Sequence, residues 1–221
     1  PCIVNGKEIY TNNTVTQVIP HNHGHILANV HLAGRSEIES ACTSAVQAQS
    51  KWIDMELEGR ASIFERCADL LAGDWRMKVN AATMLNQSKT VFQAEIDAAC
   101  ELIDFWRFNA YYTRQFHDQF QPLVSPEGIA NTTEIRPLEG FVLAITPFNF
   151  SSIAGNLPSA PALVGCTALW KPSRNSYYSN YMLMLLMMEA GLPPGVINFL
   201  PGSGAEITEV ALSNPDFAGV H

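Results

Sequence analysis

After Pro137 the chain alternates between apolar runs and helical stretches, and that alternation restricts its fold more than any other feature. "GFVLAIT" is followed by a helix-like "SSIAGNLPSAPALVG", then "CTALWKPS", a Met-rich helix ending in "EAGLPPG", the short "VINFLPGSG" and one last helix. Strand, helix, strand, helix in this order predicts a parallel sheet wound by crossover helices, because parallel neighbours cannot be joined by a tight turn. In such a sheet ligands lie beyond the carboxyl ends of the strands. Chemistry is therefore expected where each apolar run stops.

The chain before Pro137 has a different texture. "IVNGKEIY" places an Asn5-Gly6 turn between two short runs and predicts a hairpin, and the first thirty-odd residues read as short strands. Helices follow. Ser36 opens "SEIESACTSAVQAQSKW" with Glu39 at capping-box spacing, and "RASIFERCADLLAGD" stops near Gly73. "VFQAEIDAACELIDFWRFNAYYTRQF" is the longest helical candidate, and "PLVSPEGIANTTEIRP", Pro122 to Pro137, suits a strand or hairpin excursion.

A net charge of −8 argues against a nucleic-acid partner, which would want a basic face. No apolar run approaches the roughly eighteen residues of a membrane span. The five cysteines are scattered and hold no Cys-x-x-Cys, which suits buried thiols in a reducing compartment. No cationic, apolar targeting segment opens the chain; it begins with Pro1, so a removed leader is expected.

Two polar residues fall where the topology expects chemistry. Asn149, in "TPFNF", follows the run "FVLAI", and Lys171 ends "CTALW". One strand-helix-strand step apart, they can face one crevice. Either alone reads as an ordinary loop or strand-end residue. Together they offer an amide for a developing oxyanion and an ammonium for a ribose diol. Gly202-Ser203-Gly204 opens the last helix as a weak dinucleotide turn, since Ile207 stands where a third glycine would be. Asp97, Glu101 and Asp104 share a helical face by spacing; Asp97 and Asp104 read as a solvated stripe, and Glu101 as either that or a receiver for a substrate ammonium. In "HNHGH", His21, His23 and His25 read as turn histidines rather than metal ligands, and Met182, Met184, Met187 and Met188 as core filler. No metal site is expected.

The segments "ITPFNF…PALVGCTALWKPS…EAGLPPGVINFLPGSG" resemble the aldehyde dehydrogenase superfamily. "PHNHGHILANV", "SKTVFQAEIDAACELIDFWRFNA" and "FNFSSIAGNLPSAPAL" narrow the resemblance to its branch that oxidises L-glutamate γ-semialdehyde. The resemblance implies an α/β fold with the first half of a Rossmann-like sheet. Residues 1–121 would be N-terminal strands and helices of a cofactor domain, 122–137 oligomerisation strands and 138–221 the dinucleotide-binding sheet. It implies Asn149 as oxyanion donor, Glu101 and Phe150 at the substrate, and Ile145, Thr146, Pro147, Phe148, Lys171, Ser173 and Gly204 along an NAD groove. It further implies a small aldehyde substrate, a homo-oligomer and a mitochondrial matrix location.

Three departures qualify what the resemblance implies. Arg174 stands where the family carries an acidic residue that binds ribose, which opens the site to NADP. Thr208 replaces a second glycine after Gly204. The nucleophilic cysteine, the general base and the catalytic domain are expected beyond His221, so these 221 residues alone are expected to be inactive and poorly soluble. Two rivals stand beside this reading: a semialdehyde dehydrogenase for a different acid, and a non-catalytic product.

Overall fold

The computed structural model describes residues 1–121 and 124–221. The hairpin at the start forms as its turn dictates. Strands β1 (Cys2–Val4) and β2 (Lys7–Ile9) pair antiparallel around Asn5 and Gly6, both at positive φ (52° and 70°), the conformation that favours Asn-Gly in a two-residue loop. Strands β3 (Thr14–Ile19) and β4 (Asn22–His31) make a separate two-stranded sheet. Four helical stretches come next: α1 (Arg35–Asp54), α2 (Leu57–Ala72), α3 (Arg76–Gln87), and α4 (Val91–Ala94), which runs through a π segment (Glu95–Glu101) into α5 (Leu102–Gln119).

The predicted alternation then appears in full: β5 (Phe141–Ile145), α6 (Ser151–Leu163), β6 (Thr167–Lys171), a 3-10 turn (Arg174–Ser176), α7 (Tyr177–Glu189), β7 (Ile197–Phe199), α8 (Gly204–Leu212) and β8 (Phe217–Val220). The sheet order is β2-β1-β7-β6-β5-β8, with β7, β6, β5 and β8 parallel and β1 antiparallel to β7. Strands β5, β6 and β7 step in one direction. The chain then returns across the sheet to lay β8 on the far side of β5. That reversal is the switch point where open α/β sheets hold their ligands.

Because helices cover both faces, successive strand residues serve opposite cores. Ile3, Ala168, Trp170, Ile197 and Phe199 pack with α2, α5, α6 and α7. Cys2, Val4, Phe141, Leu143 and Leu169 pack with α1 and α8 on the other face. Helices α6 and α7 lie on one side and α8 on the other, as right-handed crossovers require when the strand order reverses. The methionines act as the filler expected of them, with Met184 and Met187 fully buried.

Several local expectations are corrected. Helix α1 begins one residue earlier than Ser36, and its box is made by the Glu37 carboxylate accepting the Gly34 N–H at 2.9 Å, not by Ser36 with Glu39. The longest helical candidate is interrupted by the π turn, which residue periodicity does not reveal. The polar sequence of α3 gave too weak a pattern to be singled out. Pro122 and Leu123 of the expected excursion lie outside the described residues. Residues 124–137 form no strand within this chain and are largely exposed. His21 occupies a turn, but His23 and His25 stand in β4. Among the described residues no group of histidine, cysteine and carboxylate side chains is arranged to hold a metal ion, and no helix is long and apolar enough to cross a membrane.

Candidate active site and cofactor groove

Strand β5 delivers the chain to the switch point, and the residues after it are fixed one by one. Thr146 is buried; its N–H donates to the Lys171 carbonyl at 3.1 Å and its Oγ1 accepts the Trp170 indole N–H at 3.0 Å. The first residue beyond β5 is thus tied to the end of β6. Ile145, Phe148 and Phe150 expose apolar surface to either side. Asn149 is exposed, makes no side-chain hydrogen bond among the described residues, and does not cap α6, whose N-cap is Phe150. A loop asparagine that bonds its own backbone is therefore not what the structure contains. The amide is free.

The opposite holds one residue later. Phe150 has no side chain with which to cap α6, so the first helical N–H groups need acceptors from elsewhere. Asp97 supplies them from the π turn: Oδ2 accepts the Ser151 N–H at 2.9 Å, and Oδ1 accepts the Ser152 N–H at 3.0 Å. The Lys89 ammonium pairs with the same carboxylate at 2.5 Å and stands 4.6 Å from the centre of the Phe150 ring. Ser152 Oγ lies 2.7 Å from Asp97 Oδ1 and 2.9 Å from Glu101 Oε2. The solvated stripe expected at Asp97 is thereby corrected. Asp97 is 3% exposed, while Asp104 does remain exposed. The wider π turn rotates Asp104 away from the other two, which face α6 together.

Helices α5 and α6 meet closely enough for this because Gly155 has no side chain. A Cβ there would come within 2.8 Å of Leu102 Cδ2. Trp106 Nε1 donating to Ser159 Oγ at 2.9 Å and Asn109 Nδ2 donating to Asn156 Oδ1 at 2.8 Å complete the seam.

The second half of the candidate site lies beyond β6 and β7. Lys171 is half-buried, and desolvation holds its ammonium below the usual lysine range. Among the described residues no carboxylate pairs with it. A Cβ on Gly204, the first residue of α8, would sit 3.6 Å from Lys171 Cε and 3.9 Å from Nζ. An ammonium beside a helix N-terminus makes a joint site for hydroxyl or phosphate oxygens. Ser173 follows at the 3-10 turn, its carbonyl accepting the Ser176 N–H at 3.0 Å. Arg174 is exposed, and its carbonyl accepts Gln17 Nε2 at 2.8 Å. With Phe148, Gln17 and Tyr177 it lines a cavity of about 410 Å³. Ile207 fills core space that a third glycine would have left empty, and Thr208 is partly exposed on α8.

The residues singled out from sequence are thus found at the carboxyl end of the sheet, at the ends of β5 and β6 and the start of α8, with Glu101 alongside α6. A dinucleotide suits this donor set, because an unpaired, half-buried ammonium and a side-chain-free helix start adjoin one another. Sequence reading placed Asp97 on a solvated stripe and did not single out Lys89 or Ser152. Lys89 carried no signal, and the only mark on Ser152 was its place in a polar pair that opens an otherwise apolar helix.

The model of the aldehyde dehydrogenase family matches residues 9–221. A Delta-1-pyrroline-5-carboxylate dehydrogenase of Agaricus bisporus is 49% identical over 100% of this chain and 40% of its own length, and a mitochondrial human protein of that name is 44% identical over 100% of this chain and 39% of its own. A crystal structure of the Delta-pyrroline-5-carboxylate dehydrogenase from Mycobacterium tuberculosis, also solved bound with NAD, superposes with a TM-score of 0.96 at 50% identity, covering 100% of this chain and 41% of that one. The chain therefore spans about 40% of the length of the curated relatives it matches. It belongs to the aldehyde dehydrogenase family.

Proposed function

We infer that these residues serve the NAD-dependent oxidation of L-glutamate γ-semialdehyde, the open form of Δ1-pyrroline-5-carboxylate, to L-glutamate. The observation that carries this is the free amide of Asn149, held at the carboxyl end of β5, where Thr146 donates its N–H to the Lys171 carbonyl and accepts the Trp170 indole N–H. In the complete protein a thiolate from outside these residues attacks the aldehyde, and the Asn149 amide donates to the oxyanion that develops. Phe150 packs against the aliphatic chain of the substrate, and Glu101 receives its ammonium. Ile145, Thr146, Pro147 and Phe148 form the wall of the cofactor groove; Lys171 and Ser173 bind ribose hydroxyls, with Gly204 against the pyrophosphate side. The cofactor, when bound, supplies the hydride acceptor. Residues 1–121 and 138–221 make one cofactor domain, and 122–137 pairs with a second copy in a homo-oligomer. The relatives from human and Dictyostelium discoideum named mitochondrial support a mitochondrial location.

Arg174 favours a second reading of the cofactor, in which NADP is accepted through its 2′-phosphate. Arg174→Glu should then raise the preference for NAD over NADP, read as the ratio of kcat/KM values. The central test is Asn149→Ala in the complete protein. The kcat should fall by about 10²–10³-fold with KM little changed, the loss expected for one oxyanion donor. An unchanged kcat would remove Asn149 from the chemistry.

A further inference from the structure

Ser152 touches two carboxylates at once, Asp97 at 2.7 Å and Glu101 at 2.9 Å. A hydroxyl has one proton to give, so only one of these oxygens can accept it at a time. The two are unequally provided for. Asp97 also accepts two backbone N–H groups and the Lys89 ammonium. Glu101 has Ser152 as its one side-chain donor among the described residues. An ammonium arriving at Glu101 would neutralise that carboxylate and weaken it as an acceptor, so the Ser152 hydroxyl would donate to Asp97 instead.

We propose that Ser152 is a positioning residue that couples recognition of the substrate's ammonium to the placement of Asn149. When the ammonium pairs with Glu101, the Ser152 hydroxyl turns wholly to Asp97 and completes that carboxylate's hold on the start of α6. Ser151 and Ser152 are the first residues of α6, and Asn149 and Phe150 directly precede them. Tightening there fixes the amide that meets the oxyanion. The proton stays on Ser152 throughout; only its acceptor changes. The α-ammonium therefore raises kcat as well as lowering KM, a specificity device absent from a simple ion-pairing site. The inference rests on the reading of Glu101 and Asn149 given above.

The experiment compares glutamate γ-semialdehyde with 5-oxopentanoate, the same chain without the amine, on the complete protein. The wild type should oxidise the amino substrate with a kcat about tenfold or more higher, the size expected from improved alignment of a reacting group. Ser152→Ala leaves the backbone bonds to Asp97 and the Glu101 carboxylate in place. The kcat ratio between the two substrates should fall to about one while the KM ratio persists. Asp97→Asn, which keeps an acceptor but loses the charge, should lower kcat for both substrates about 10–100-fold with KM little changed. A wild-type kcat ratio of one, or a ratio that survives Ser152→Ala, overturns the coupling. Glu101→Gln separates the two failures. If the KM advantage of the amino substrate survives that change, Glu101 does not bind the ammonium, and the reading of the site falls together with the coupling built on it.

Discussion

Helices α6 and α8 both follow parallel strands of one sheet, yet their ends are held in opposite ways. At the start of α8, Ser203 Oγ accepts the Glu206 N–H at 3.5 Å, and at its end the Ser213 N–H and hydroxyl both donate to the Glu209 carbonyl. Every partner lies within a turn. At the start of α6 the acceptor is Asp97, 54 residues before Ser151. At its end the Ala162 and Leu163 carbonyls accept Trp52 Nε1 and Arg60 Nε, from α1 and α2. Midway, Pro161 has no N–H for the Leu157 carbonyl, which instead accepts His221 Nδ1 at 2.9 Å. Helix α8 is capped by itself; α6 closes its own last turn through the Gly165 and Cys166 N–H groups, but its start and its remaining carbonyls are held by the rest of the molecule. The helix that carries Asn149 at its threshold is the one whose position every neighbouring element helps to decide.

The largest expected effect tests this contrast directly. Asp97→Ala leaves two α6 N–H groups without acceptors and Lys89, which is mostly buried, without its counter-charge. Breaking one side of a buried pair costs about 3–5 kcal/mol. Ser203→Ala removes one long, exposed cap bond and should cost about 0.5–1 kcal/mol. Urea unfolding of the two variants of the complete protein gives both numbers. Equal losses would break the distinction between the helices. Adding Lys89→Met to Asp97→Ala sharpens it, since removing the stranded ammonium should recover part of the loss.

The same contrast explains what could be read in advance. The alternation of strand and crossover helix, and the places of Asn149, Lys171 and Gly204 at its turns, follow from short-range patterns: apolar runs, their ends, and glycine at a helix start. The Asn5-Gly6 turn and the stop at Gly73 are equally local. The role of Asp97 is not local in any sense. In sequence it is one carboxylate in a helical stripe, and the stripe reads as solvated because spacing says nothing of which helix packs against it. The π turn that aims Asp97 and Glu101 at α6 leaves no mark in residue periodicity. Residues 124–137 form no strand within this one chain for a related reason, as strand-like texture does not supply the partner edge that makes a strand.

A smaller effect is expected at Lys171, which contrasts with Lys89. One ammonium is buried with a carboxylate, the other half-buried with none among the described residues. Desolvation without a partner favours the neutral form and destabilises the folded protein slightly. Lys171→Met should therefore leave unfolding within about 1 kcal/mol of the wild type or raise it, as apolar packing replaces an unpaired charge. NAD affinity should fall about tenfold, the loss expected for a charged hydrogen-bond donor. Calorimetric titration with NAD measures this. A large stability loss with unchanged NAD affinity would make Lys171 a structural residue and leave the groove without its cation.

The smallest effect compares the two faces of the sheet through their thiols. On the α1 and α8 face, burial pushes the thiol of Cys2 up to about 12 and that of Cys42 to about 11. A folded-state value above the unfolded one means that the thiol's full contribution is present below the unfolded value, about 8.5. It is lost as pH rises from there toward the folded value, because only the unfolded chain then releases the proton. Stability should fall between about pH 9 and 11 with a slope of at most about 1.4 kcal/mol per pH unit for each thiol. Cys42→Ala should flatten that slope in urea titrations across this range while leaving the Asn149 side of the sheet, and hence kcat at neutral pH, unchanged. If kcat falls instead, the two faces are not independent, and the core beneath α8 also takes part in placing the loop that α6 anchors.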